Sequence, residues 1–227
     1  MALKRPQSLR ELALEHLRKN IVNGNLKMGQ VLSERSISEE LGVSKSPVRE
    51  ALAQLRDEGL VIIEPQKSAK VFSLSNREVE QICDFRQAME TAAFELALAR
   101  NPKELANDMD DVVAKMKEAQ NKGRMATYLA LDTSFHELLF KHCHNDYLAA
   151  SYARYEGKIA ALRTHLSELP QHTELSFDEH KKLALAVRKR DDKKIRHLLA
   201  EHIDRTRQVY ANANNDQLVP FHELITV

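Results

Sequence analysis

Two short β-prone runs, LVIIE at 60–64 and AKVFSL at 69–74, stand four residues apart, with PQKS between them. No comparable run follows residue 75. Branched and aromatic residues bounded by turn formers predict a two-stranded hairpin. An isolated hairpin is marginal in water, so this one must be backed by other elements. Gly and Pro number only six each in 227 residues, and helix formers abound, so those elements are helices. The fold class that follows is mainly α, with one small β element near residue 65.

Ahead of the hairpin, three segments carry a helical period. The first runs from about Ser8 to Asn23, with Leu9, Leu12, Leu17 and Ile21 as its apolar stripe. NGNLKMGQVL breaks the pattern at Gly24 and Gly29. A short helix follows from Ser33, a good N-cap, to Leu41. After the turn LGVSKS, a third helix spans Ser44 or Ser46 to Glu58, with Pro47 in its first turn and Gly59 stopping it. Its Val48, Ala51, Leu52 and Leu55 are expected to face inward.

Beyond residue 75 the texture is helical throughout. Ser75 and Glu78 form a capping box that opens a helix toward Arg100, where Asn101-Pro102 ends it. Further helices are expected at about 103–121, 124–143, 146–168, 177–189 and 191–211, with Ser176 and Glu179 as a second capping box and Asp191 as an N-cap. The chain therefore reads as three parts: 1–75, 76–212, and a tail at 213–227.

Three helices followed by a hairpin is the winged helix-turn-helix arrangement, in which the second helix of the turn enters the major groove of DNA. Here that helix presents Ser44, Lys45, Ser46 and Arg49 at its N-terminal end. Hydroxyls and helix-start N–H groups suit phosphates, and Arg or Lys suits the acceptor edge of guanine. An ordinary charged helical surface explains the same pattern equally well. Charge does not separate the two: residues 1–75 carry 12 Lys and Arg against 9 Asp and Glu, +3, and the remainder 22 against 24, −2.

The exact residues do separate them. LSERSISEELGVSKSPVREALAQLRDEGLV, residues 32–61, resembles the DNA-binding region of GntR-family bacterial transcriptional regulators, and the likeness spans nearly all of 8–74. The resemblance implies operator binding by a homodimer, with Arg35, Ser44, Lys45, Ser46 and Arg49 at DNA-touching positions and Lys67 and Ser68 at the wing tip. Two departures stand out. Met28-Gly29 replaces a common Pro-Gly, and KSA replaces Arg-Gly-Ala in the wing, so Ser68 stands where a glycine lets backbone approach the minor groove.

The second half poses a different question in LDTSFHELLF, residues 131–140. Asp132 and His136 lie one turn apart, on a face shared with Tyr128, Phe135 and Leu139, so the polar pair points inward. A buried carboxylate needs a partner. His180 and His202 also fall on or beside apolar stripes, whereas His16, His142, His144, His165, His172, His197 and His222 read as surface or locally satisfied rings. Asp132, His136, His180 and His202 could converge in a bundle core, and carboxylate with imidazole is a common ligand set for Zn²⁺ or Ni²⁺. Spacing alone does not establish that convergence.

Residues 77–211 resemble the FCD domain, the all-helical sensing domain of the FadR-like branch of these regulators, in RQAMETAAFELA, LDTSFHELLF and DEHKKLALAVRKRDDKKIRHLLAEHI. The resemblance implies a bundle of about six helices holding a divalent metal, Zn²⁺ or Ni²⁺, on Asp132, His136, His180 and His202. It also implies a small carboxylate effector, which a cation in an enclosed pocket favours. Arg86 matches a position that often points into the pocket, where it can clamp a carboxylate. An i,i+4 pair with Glu90 is the equal alternative. Arg163 is a second candidate, with a surface charge as its alternative, and Tyr128 and Tyr155 read as cavity lining or as core.

The function expected is a ligand-responsive transcriptional regulator, a repressor in the commoner arrangement, and not an enzyme. Two other readings remain at this stage: a metal-dependent hydrolase, against which no separate general base is evident, and a regulator with a purely structural metal. No run approaches the ~20 apolar residues that span a bilayer, and MALKRPQSLREL lacks a secretion signal's apolar core. Two cysteines make no disulfide framework, so a cytoplasmic protein with no membrane partner is expected.

Overall fold

The computed structural model describes residues 7–64 and 68–215. They form two units, one of Met1–Ser73 with Ala153–Thr164, the other of Leu74–Tyr152 with His165–Val227.

In the first unit, α1 (Leu9–Val22) starts at a complete capping box, Ser8 with Glu11. Its buried face is Ala13, Leu14, Leu17 and Ile21. Leu9 and Leu12, expected on that stripe, are 55% and 47% exposed, because the inward face is set by the register of Leu14 and Leu17 instead. Then come β1 (Val31–Leu32), α2 (Glu34–Leu41), α3 (Lys45–Asp57), β2 (Val61–Ile62) and β3 (Ala69–Val71). Ser33 caps α2 through Ser36 N–H, and Gly42 ends it in the left-handed region at φ 65°. Val48, Ala51, Leu52 and Leu55 of α3 are all buried, against α1 and α2. Arg18 of α1 holds Glu58, just past α3, with bonds of 2.9 and 2.6 Å.

The expected hairpin is present, but β3 also pairs on its other side with β1, so the sheet is β1-β3-β2 and antiparallel. The strand at Val31–Leu32 was not expected. Two residues give no period, and only the pairing with Ala69 and Lys70 makes them a strand.

The second unit is built from α4 (Asn76–Arg100), α5 (Pro102–Asn121), α6 (Met125–His142), α7 (Asp146–Leu166), α8 (His172–Lys189) and α9 (Asp192–Asn215). Helix α7 also supplies Ala153–Thr164 to the first unit, where Gly157 packs against Leu60 and the Lys158 amine lies over the Phe72 ring. The Ser75–Glu78 capping box opens α4 as expected, and Pro102 occupies the first turn of α5. Helix α6 packs on α4 and α5, α8 on α5 and α9, and α9 on α4. Their shared core includes Phe94, Leu105, Met109, Phe135, Leu139, Leu183 and Leu199.

Two boundaries differ from expectation. Helix α8 begins at His172 behind Gln171, whose φ is 60°, so Ser176 is buried inside the helix and caps nothing. Helix α9, whose first turn is capped by Asp191 through Lys194 N–H at 3.1 Å, runs on to Asn215. The remainder of the expected tail, 216–227, lies outside the described residues, as does Lys67. No described helix is long and apolar enough to cross a membrane.

Candidate metal centre and nucleic-acid interface

At the start of α3 the short side chains and the basic residues are all on the surface. Ser44, Lys45, Ser46 and Arg49 are exposed, and so is Arg35 on α2. Ser44 is the N-cap residue, yet its hydroxyl makes no cap bond and so stays available to a phosphate. Ser46 Oγ donates to Glu50 at 3.2 Å. Arg49 makes a two-pronged pair with Glu34, Nε to Oε1 at 3.1 Å and Nη2 to Oε2 at 2.8 Å. That bond lowers the Glu34 pKa and raises that of Arg49. Arg35 Nε donates to Glu39 at 2.8 Å. Ser68 is exposed just ahead of β3. The exposed start of α3 is the part of this unit that a nucleic-acid groove could meet.

The second unit brings its histidines together from three helices. His136 on α6, His180 on α8 and His202 on α9 are buried, and one ring nitrogen from each lies within 4.8 Å of the others. His180 Nε2 is 3.3 Å from His136 Nε2. Two imidazole nitrogens bound to one ion at about 2.0–2.1 Å stand a little over 3 Å apart in a tetrahedral site. Asp132, 4% exposed, is outside that tight trio but beside it, with Oδ1 3.7 Å from His180 Nδ1. Three imidazole nitrogens at this spacing suit a divalent cation of the Zn²⁺ or Ni²⁺ kind. The ring of Phe135 sits 4.4 Å from that of His180, a dry wall on one side.

Two carboxylates behind the trio, Glu90 and Glu179, were read from the sequence only as a partner of Arg86 and as a capping residue, not as neighbours of the histidines. Glu90 Oε2 lies 2.9 Å from His136 Nδ1, and Glu179 Oε2 lies 2.7 Å from His202 Nδ1. Glu179 also receives Nε and Nη2 of Arg205, at 2.6 and 2.7 Å. Burial alone would raise Glu179, but the bonds from His202 and Arg205 bring it down to about 2. Burial pushes His202 below its ordinary value, against the pull of Glu179. That direction favours the neutral ring a metal ligand requires. In the sequence Glu179 stands next to His180, but its capping-box spacing from Ser176 gave it a different role.

Arg86 resolves into its bland alternative with something left over. It is 0% exposed and its Nε donates to Glu90 Oε1 at 2.8 Å, so the i,i+4 pair is real. Burial works against its charge, yet Glu90 more than compensates and raises its pKa. Its Nη2 is buried with no hydrogen-bond partner among the described residues. Arg163 is buried too, but it belongs to the α7 segment grouped with the first unit, and so does the exposed Tyr155. Tyr128 is buried and donates to Thr173 C=O at 3.1 Å. Tyr152, not foreseen, donates to Glu90 at 3.1 Å. Of the histidines expected to be incidental, His142 is satisfied by Asp108 and Asn101. His172 is 8% exposed and accepts from Arg205, and burial first, then that guanidinium, holds it at about 4.

Two family models match the chain. Residues 9–71 match the model of the gntR family of bacterial regulatory proteins, and residues 81–205 match the FCD domain. The gluconate operon transcriptional repressor of Bacillus licheniformis is 28% identical over 180 residues, 77% of this chain and 74% of that protein. The HTH-type transcriptional repressor RspR of Escherichia coli strain K12 is 25% identical over 187 residues, 82% of each. The solved structure of E. coli McbR/YncC superposes with a TM-score of 0.77 at 23% identity, over 92% of this chain and all of that one (100%), a likeness of fold.

Proposed function

We infer the function from one premise: the chain belongs to the GntR family of bacterial regulatory proteins and carries an FCD domain. It is a DNA-binding transcriptional regulator, and its relatives are regulators rather than enzymes. The hydrolase alternative therefore has no support.

The finer reading is that a homodimer binds double-stranded operator DNA in the cytoplasm, with the α3 start as the reading edge. Arg49 would read a base, while Ser44, Lys45 and Ser46 would fix the helix on the backbone. Arg35 and the wing residues Lys67 and Ser68 complete the contact. The second unit would hold a divalent cation, Zn²⁺ or Ni²⁺, on Asp132, His136, His180 and His202. The observation that carries this is the buried trio of imidazole nitrogens within 4.8 Å of one another. The cation would supply a fixed positive charge that attracts an anionic oxygen. Arg86, with Nη2 lacking a partner among the described residues, would clamp the effector's carboxylate. A small organic acid bound there would favour one arrangement of the dimer over another and so change operator affinity. Two relatives are named repressors, which supports repression as the sign.

Elemental analysis of the purified full-length protein tests the metal. About one ion per chain is expected, and His136→Ala should lose it, because the ion then lacks one ring of the trio. Stoichiometric metal in that variant would sink the assignment. A thermal-shift screen of small carboxylic acids, with and without chelator, tests the effector. Shifts that survive complete metal removal would leave the cation a structural role only.

A further inference from the structure

Glu90 is 0% exposed, and its two oxygens reach side chains from three helices. Oε1 accepts from Arg86 Nε at 2.8 Å and from the Tyr152 hydroxyl at 3.1 Å, and Oε2 lies 2.9 Å from His136 Nδ1. An imidazole whose Nδ1 faces a carboxylate keeps its proton on that nitrogen, and the lone pair is then on Nε2. Nε2 is the His136 atom that faces His180, at 3.3 Å. The same construction recurs on the other side of the trio. Glu179 stands 2.7 Å from His202 Nδ1 and is itself held by Arg205. So two arginine–glutamate–histidine chains, from α4 to α6 and from α9 through α8 back to α9, aim two rings at one point. A buried carboxylate that served only to neutralise its arginine would have no reason to meet the far nitrogen of a clustered histidine in both cases.

We propose that Glu90 and Glu179 are positioning residues of the metal centre, which hold His136 and His202 as Nδ1–H tautomers with Nε2 turned to the ion before any ion arrives. This rests on the metal reading above. The arginines set the strength of the hold. Arg86 holds Glu90 through Oε1 and Arg205 holds Glu179 through both oxygens, which fixes each carboxylate beside its ring.

The test uses the full chain and Zn²⁺ alone, with affinity read by competition against a chromophoric chelator. Glu90→Gln and Glu179→Gln should each bind Zn²⁺ about 10–100-fold more weakly than wild type. Glu95→Gln on α4, which breaks an exposed pair with Arg196 of α9, should bind like wild type. Zn²⁺ affinity within twofold of wild type in a folded Glu90→Gln or Glu179→Gln protein overturns the role of that carboxylate. Glu90→Gln leaves Arg86 buried without its counter-charge, so its fold is at risk. The second readout needs no variant: ¹⁵N shifts of the His136 and His202 rings in metal-free wild type. Protonated Nδ1 on both rings is expected, and Nε2–H rings overturn the proposal. A wild-type chain that takes up neither Zn²⁺ nor Ni²⁺ overturns the metal reading itself. The ring shifts separate that failure from failure of the positioning.

Discussion

Arg49–Glu34 and Arg86–Glu90 are both arginine–glutamate pairs with a 2.8 Å contact. Their surroundings are opposite. The first pair is 68% and 34% exposed at its side chains, the second 1% and 0%. In water the pair is a loose association that either partner can leave for a better one, and it contributes little to stability. In the core neither partner can leave, because an uncompensated charge would remain in a low-dielectric site. Identical bond lengths thus mark a replaceable contact at the exposed start of α3 and a fixed one inside the helical bundle. A surface that must exchange its own contacts for those of DNA needs the first kind. A centre that must hold three rings in place needs the second.

The widest gap between the two pairs should appear in stability. Glu90→Ala is expected to destabilise by about 3–5 kcal/mol in urea unfolding followed by circular dichroism, since it strands Arg86. A loss below about 1 kcal/mol would mean that water reaches that guanidinium, and the contrast would collapse. The second effect is one of pH. His172 is held at about 4 against an ordinary 6.5, so the unfolded chain binds a proton first as acid is added. The associated stability is present above pH 6.5 and is lost as pH falls from 6.5 toward 4, roughly 3 kcal/mol over that window. His172→Gln should flatten that part of the stability–pH curve. An unchanged slope would assign the acid sensitivity to other groups.

On the exposed side, Arg49→Ala should weaken specific operator binding by about 1–3 kcal/mol in gel shifts, while unfolding barely changes. Equal loss on operator and random DNA would make Arg49 a phosphate contact instead. The smallest effect is Glu34→Ala, expected to alter stability by about 1 kcal/mol or less. A larger loss would show the exposed pair to be as structural as the buried one.

What the sequence disclosed follows the same divide between local and long-range physics. Ser8, Ser33 and Ser75 announced their helices because capping is settled within four residues. Ser176 gave the same signal and misled, because Glu179 is drawn away by His202 and Arg205 and the helix starts earlier, behind Gln171. Strand β1 exists only through its pairing with β3, which no local pattern encodes. Asp132 and His136 were seen to face inward from their spacing. That His180 and His202 meet them depended on how α6, α8 and α9 pack, and family likeness, not periodicity, anticipated it. For Arg86, the two readings weighed as alternatives describe different atoms of one side chain: Nε is bonded to Glu90, and Nη2 is not bonded among the described residues.

The pairing of Arg49 with Glu34, and of Arg35 with Glu39, bears on how such a protein searches a genome. Long-range attraction to DNA scales with the free positive charge that a surface presents. Two arginines that carry their own carboxylates contribute little to it. If the start of α3 reads DNA as proposed, the chain would therefore dwell only briefly on sequences that cannot outbid Glu34 and Glu39. It would dissociate and sample the next stretch, and its residence time would become long only where base edges take those arginines over.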